Sequence, residues 1–290
     1  MADRTFTLAI SCPDRVGIVA AVSRFIADRG GWITESNHHA DSSTLRFFMR
    51  NVLIARSLAD CGVSLESFRA AFAAIAREFD MTWSITDSAQ RKRVVLLVSK
   101  YDHCLVDLLY RWKSGELACD IPCVIGNHDD LRSYVEWHGI PFRHIPVPKD
   151  ETGKRAAFGE IDRLLQAESA DTVVLARFMQ ILPADMTRRW PGRIINIHHS
   201  FLPSFIGARP YHQAFARGVK LIGATSHYVT EQLDEGPIIE QDVVRIDHGD
   251  TEEDLIRYGR DIEKSVLARA LKYHLEDRVL LNGHRTIVFR

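Results

Sequence analysis

A chain of 290 residues exceeds one ordinary domain and falls short of three, so two are expected. With 46% hydrophobic residues, 26% charged residues and a formal net charge of -1, its make-up is that of a folded globular protein, which excludes disorder and argues against nucleic acid as a partner. The opening stretch MADRTFTLAISCPDR sets acidic and basic groups around a short apolar run, unlike a secretory signal or a membrane span of ~20 apolar residues, so no membrane association and a cytoplasmic location are expected.

In chain order, FTLAIS reads as a strand, and DRVGIVAAVSRFIADRGG carries apolar residues at helical spacing closed by a Gly pair, a helix stop. WITESNHHAD and TLRFFMRNVLI form a hairpin pattern, LESFRAAFAAIAREF is a second amphipathic helix, and MTWSIT is a last strand. The order β-α-β-β-α-β is the ferredoxin-like pattern. DSAQRKR, Asp87 to Arg93, is polar and lacks hydrophobic periodicity, so a first domain over 1–87, a linker over 88–93 and a second domain over 94–290 are expected.

Beyond the linker, strands alternate with helices: VVLLVSK, CLVDLLYRWKSGEL, IPCVIGNH, DLRSYVEWHG, FRHIPVP, FGEIDRLLQAE, TVVLARF and RIINIHHS. Strands this continuously apolar are buried on both faces, which predicts a Rossmann-like α/β domain with a mostly parallel sheet and helices on both sides. The five cysteines (Cys12, Cys61, Cys104, Cys119, Cys123) are odd in number and scattered, which fits the cytoplasm better than a disulfide framework. Cys119 and Cys123 flank an apolar strand and read as buried thiols rather than metal ligands. Such sheets bind ligands at the carboxyl ends of their strands, and both ARFM and NIHH stand where a strand finishes.

Downstream, in GATSHYVTEQLDEGPI, alternation sends Thr225, His227 and Val229 to one face, and Glu231, Asp234 and Glu235 follow in a loop closed by Gly236 and Pro237. Asn196, His198 and Asp234 together offer an amide donor, a titratable imidazole and a carboxylate to orient it, the parts needed to attack a carbonyl and hold the resulting oxyanion. No Gly-x-Ser-x-Gly elbow occurs and no cysteine has a nucleophile-like context, so water or a substrate amine is the expected attacking species. Each residue taken singly has a plainer reading: a strand-end histidine is commonly structural, and an Asp before Gly-Pro can make an Asx turn. His227 lies on the face of the cleft, whereas His199 and His212 read as structural. Metal binding by His198 and His199 is disfavoured because neighbours on a strand point to opposite faces.

NIHHSFLPSFIGARPYHQAFARGVKLIGATSHYVTEQLDEGPIIEQ resembles, over its whole length, the formyltransferase family that handles 10-formyltetrahydrofolate. The resemblance implies Asn196, His198 and Asp234 as catalytic residues. It also implies a folate cleft lined by ARFMQILP, with Phe178, Met179, Gln180, Ile181 and Leu182, and a loop of Val229, Thr230, Glu231 and Leu233 that holds the pterin through backbone groups, with His227 and Gly207 in support. The family's glycinamide ribonucleotide transformylases follow their first strand with a Gly-rich loop that cradles the acceptor's phosphate on N–H groups. Here that place reads Ser99, Lys100, Tyr101, Asp102 and His103, without glycine, and Asp102 would repel a phosphate. The whole chain, including SKYDHCL, is similar to the formyltetrahydrofolate deformylase family, which implies water as the acceptor, hydrolysis to formate and tetrahydrofolate, and no cofactor or metal. A transferase to an unphosphorylated amine, or a folate and amino-acid sensor without turnover, are the rival readings.

CPDRVGIVAAVSRFIADRGGWI resembles an ACT domain, which implies an amino-acid effector, glycine or methionine, and pairing into a homodimer or homotetramer. The implied ligand loop is Pro13, Asp14, Arg15, Val16 and Gly17, with Asn37 and His38 on the next strand as neighbours, although Asp14 also suits a helix N-cap.

Overall fold

The computed structural model describes residues 3–204 and 210–290 and divides into two compact units, 1–91 with 276–282 and 287–290, and 92–275 with 283–286. Gly207, expected to support the site, lies outside the described residues.

The first unit runs β1 (Thr5–Pro13), α1 (Ile18–Ala27), β2 (Ile33–Asp41), β3 (Arg46–Ile54), a short α2 (Ala55–Asp60), α3 (Leu65–Glu78) and β4 (Thr82–Asp87). Alternate residues of β1, Phe6, Leu8, Ile10 and Cys12, are buried, as a period of two requires when one face of a sheet meets helices. The strands are antiparallel in the order β2-β3-β1-β4, the split arrangement that follows from two β-α-β halves. Phe25 of α1 meets Phe68 and Phe72 of α3 edge to face at 5.1 and 5.3 Å, fastening both helices over that buried face. Ser64 caps α3, its hydroxyl accepting from the Ser67 N–H. At α1 the N-cap is Gly17, with φ 96°, and not Asp14: the loop must turn through a left-handed residue there, and Asp14 stands three residues too early to reach the first turn. On the other face of the sheet, Phe48 joins a core cluster with Leu280 and Phe289. Burial of those side chains groups residues 276–282 and 287–290 with the first unit, although the sequence reading keeps everything from Val94 onward together.

The second unit runs β5 (Lys92–Val98), α4 (His103–Lys113), β6 (Cys119–Asp120), β7 (Val124–Gly126), α5 (Arg132–Trp137), β8 (Phe142–His144), α6 (Glu151–Ala167), β9 (Thr172–Ala176), α7 (Ala184–Arg189), β10 (Ile194–His198), α8 (Pro210–Arg217), β11 (Leu221–Tyr228), β12 (Ile238–Arg245) and α9 (Glu252–Leu275). A last hairpin is β13 (Val279–Asn282) with β14 (Arg285–Val288). The sheet order is β12-β11-β10-β9-β5-β7-β8, with β6 beside β5. Pairing is parallel from β8 through to β10 and antiparallel where β11 and β12 are added. Val94 to Val98 are all buried because helices cover both faces of a central strand. Cys119 and Cys123 are buried as well.

Parallel register sets the geography of the unit. Val98 pairs with Ala176, and Leu175 pairs with Asn196, so β5, β9 and β10 all finish at one edge. The segments that leave that edge begin at Ser99, Arg177 and His199. Among the described residues no helix is long and apolar enough to cross a membrane.

Candidate active site

Asn196 and His198 stand two residues apart on β10 and therefore share a face, opposite His227 and Thr225 of antiparallel β11. His227 is 2% exposed, and its Nδ1 donates to the carbonyl of Tyr228 at 2.9 Å. In the neutral ring this leaves Nε2 as an acceptor, 3.2 Å from Asn196 Nδ2. One amide N–H of Asn196 is thereby spent on His227, and the other remains to serve a ligand.

Asp234 reaches the same place from the loop between β11 and β12. Its Oδ2 is 3.1 Å from His198 Nδ1 and its Oδ1 is 3.6 Å from His227 Nε2. The backbone there is left-handed, φ 57°, a region that Asp tolerates better than most residues. The loop is held against the end of β11: Tyr228 N–H donates to Pro237 O at 2.9 Å, and a Cβ on Gly236 would lie 1.7 Å from Tyr228 O. Gly236 is thus required by close backbone approach. Burial by itself would raise the Asp234 carboxyl, but the hydrogen bond from His198, with the His227 ring close by, outweighs it and holds the group well below the usual carboxylate range. An ionised Asp234 only accepts, so His198 presents N–H at Nδ1, while its buried Nε2 has no protein partner.

His198, Asn196 and Asp234 line a cavity of about 600 Å³. Phe178, Met179, Gln180, Ile181 and Leu233 line it too, so the segment after β9 and the tip of the β11–β12 loop meet the trio. Leu182 instead borders a neighbouring hollow of about 620 Å³ that contains none of the three. Val229, Thr230 and Glu231 do not line the cavity. The Val229 N–H donates to Ile194 O, Thr230 Oγ1 donates to Gln232 O, and Glu231 pairs with Arg188 at 2.6 Å.

The cavity also gathers Arg177, from the expected cleft segment, and residues to which the sequence assigns no role: Tyr101, His103, Tyr211, Arg260 and Glu263. Glu263 is 1% exposed on α9, in line with the buried Gly259 and Leu255 one and two turns earlier. A charge at an apolar-stripe position was the one available signal for it. His212 lines the cavity and is paired with Glu252. His199, expected to point away from His198, lines it as well, with the two rings 5.2 Å apart. Strand alternation ceases to apply because β10 ends at His198. Burial, with the charge of Arg177 adding to it, pushes the His199 imidazole down to about 4.

In the first unit the expected effector residues are dispersed. Val16 is fully exposed, and Arg15 pairs with Asp80 at 2.8 Å. Asp14 N–H donates to Leu45 O, and Asn37 donates to Glu35 at 2.7 Å. Asn37 stands opposite Arg50, which pairs with Ala9, four residues before the end of β1, so the register keeps Asn37 away from the 14–17 loop. His38 stacks on Phe47 at 5.9 Å.

Comparison with known proteins adds a second line of observation. Residues 92–271 match the model of the formyl transferase family. The formyltetrahydrofolate deformylase of Bacillus subtilis is 51% identical over 97% of the chain and 93% of that relative. The crystal structure of a formyltetrahydrofolate deformylase from Pseudomonas syringae pv. tomato superposes with a TM-score of 0.96 at 60% identity, covering 100% of this chain and 96% of that one. Glycinamide ribonucleotide transformylase 1 of Symbiobacterium toebii matches with a TM-score of 0.64 at 31% identity, over 69% of this chain and 95% of that one.

Proposed function

The chain belongs to the formyltetrahydrofolate deformylase family, and from that premise we propose that it hydrolyses 10-formyltetrahydrofolate to formate and tetrahydrofolate with Asn196, His198 and Asp234 as the working groups. The observation that carries this assignment is the buried, unpartnered Nε2 of His198 in a cavity shared with Asn196, its ring fixed from behind by the ionised Asp234. A folate substrate would bring its N10 formyl group to that nitrogen, between the segment of Phe178 to Ile181 and Leu233 of the β11–β12 loop.

Water attacks the formyl carbon, and the carbonyl oxygen takes up negative charge. The free N–H of Asn196 and the Nε2–H of protonated His198 face that oxygen, and donors fixed before the reaction stabilise it without reorganisation. Asp234 accepts from Nδ1 and stabilises the imidazolium. His198 then protonates N10, the C–N10 bond breaks, and tetrahydrofolate and formic acid separate. In metabolism this reaction balances the one-carbon folate pool and supplies formate for purine synthesis. The first unit has the ferredoxin-like strand order compatible with an ACT module, and its reading here is control by glycine or methionine, with pairing of such units into a homodimer or homotetramer.

The test is to incubate the purified protein with 10-formyltetrahydrofolate and no amine. Stoichiometric formate from the unaltered protein, absent with His198→Ala, supports the assignment. Turnover that appears only on adding an amine would identify a transferase instead.

A further inference from the structure

We propose that His103 is a further catalytic residue, whose Nδ1, with Glu263 fixed behind the ring, holds the attacking water and takes its proton. The proposal rests on the hydrolytic reading above, which needs a base that the trio does not supply. Asp234 has its oxygens turned to two imidazoles and stays ionised far below the usual range, so it is a weak acceptor for a water proton. His198 is required as the acid.

His103 opens α4, five residues past the last paired residue of β5, at the sheet edge where β9 and β10 also end, and it lines the cavity of the trio. Its Nε2 is 2.8 Å from Glu263 Oε2, while the other Glu263 oxygen accepts from Tyr211 Oη at 2.6 Å. Arg177 Nε stands 3.3 Å from Oε2, and its guanidinium lies 5.0 Å from the centre of the Tyr101 ring. Burial alone would raise the Glu263 carboxyl, but the hydrogen bond from His103 and the charge of Arg177 outweigh it and keep the group ionised. A carboxylate only accepts, so the neutral ring of His103 has its proton on Nε2 and a lone pair on Nδ1. That Nδ1 is buried and has no protein partner. An imidazole oriented by a carboxylate, with its far nitrogen bare, has the anatomy of a general base.

The same atoms suit a metal ion poorly. Ligand atoms of His103, Cys104 and Glu263 lie within 4.8 Å of one another, but burial holds the Cys104 thiol protonated and the Arg177 cation already occupies the side of Glu263.

In the proposed step a water lone pair forms the new C–O bond while a water proton passes to His103 Nδ1. The carbonyl π pair moves to oxygen, facing Asn196 and His198. Collapse of the intermediate breaks C–N10, and N10 receives its proton from His198. Formic acid then ionises; of its proton and the one on His103, one recharges His198 and the other leaves to solvent.

His103→Gln keeps a donor to Glu263 but removes the base, and His103→Ala opens room for an added one. Both should lower kcat on the order of 100-fold or more with KM little changed, and imidazole added to His103→Ala should restore part of the loss. Glu263→Gln, which no longer fixes the ring by charge, should lower kcat less, with KM again unmoved. A kcat within about threefold of the unaltered protein in both His103 variants would overturn the proposal, as would a kcat loss in His103→Ala that imidazole leaves unchanged. Absence of formate from the unaltered protein would overturn the hydrolytic reading itself, and the proposal with it.

Discussion

Asp234 does two jobs that a single substitution separates. Its carboxylate accepts from His198, and its left-handed backbone aims the loop. Asparagine tolerates that conformation too, so Asp234→Asn keeps the loop and removes the charge. The expected result is a folded protein with a modestly lower melting temperature, since the ionised carboxylate no longer meets His198, and a kcat lower by ~100-fold to 10,000-fold, read from formate release. Asn196→Ala removes one oxyanion donor and should cost ~100 to 1,000-fold in kcat. His227 would be left without its amide partner in that variant, but its bond to Tyr228 O keeps the ring in place. Near-normal turnover in either variant would remove that residue from the mechanism. At this scale the sequence offered three chemically suited residues at a strand end and a Gly-Pro loop, and the resemblance to the formyltransferase family implied their role. The sequence did not name Glu263, whose partners His103, Arg177 and Tyr211 come from three other segments.

Elements bring these residues to one place through register. Parallel pairing of β5, β9 and β10 delivers three chain segments to one edge, and the antiparallel return of β11 sets His227 beside Asn196. The β11–β12 loop then depends on Gly236, where any side chain would strike the Tyr228 carbonyl. Gly236→Ala must displace the loop carrying Asp234, so a lower melting temperature and at least a tenfold loss of kcat are expected together, a loss of ~1.4 kcal/mol or more in transition-state stabilisation. An unchanged melting temperature would mean that the loop relaxes without strain. Gly259 of α9 has a related role: a Cβ there would lie 2.1 Å from the Tyr211 ring, so glycine at this position leaves room for Tyr211 to reach Glu263. Strand and helix alternation was legible because buried strands and amphipathic helices have different periods. The short α2 was not, since six residues hold too little periodicity to read.

For the molecule as a whole, two half-buried neutral histidines tie stability to pH. His274 is held between Thr172 Oγ1 and Tyr228 Oη, both at 2.8 Å, and burial, with the charges of Lys92 and Arg193 adding to it, pushes its imidazole down to about 3 from 6.5. His199 falls to about 4 from the same value. Both folded values lie below the unfolded one, so the unfolded chain binds more protons as the medium is acidified. Stability is therefore full above pH ~6.5 and is lost as pH falls through the interval down to about 4 for His199 and about 3 for His274, on the order of 1 kcal/mol per pH unit for each. Thermal midpoints measured across that interval should fall steadily, and His274→Gln should flatten the curve. A midpoint independent of pH between 6.5 and 4 would contradict neutral burial of both rings.

The sequence alone determined the alternation of strands and helices, the four-stranded pattern of the first unit, and the chemical identity of Asn196, His198 and Asp234. These are properties of local periodicity and residue type, which a linear chain records directly. Tertiary structure decided which residues share the cavity: it brought in His103, Arg177, Tyr211 and Glu263, added His199, and left Val229 to Glu231 away from the lining. It also returned the end of the chain to the first unit, where Leu280 and Phe289 share a cluster with Phe48. Contacts between residues 160 positions apart, such as His103 with Glu263, are fixed by sheet register and helix packing, and no local pattern in the chain encodes them.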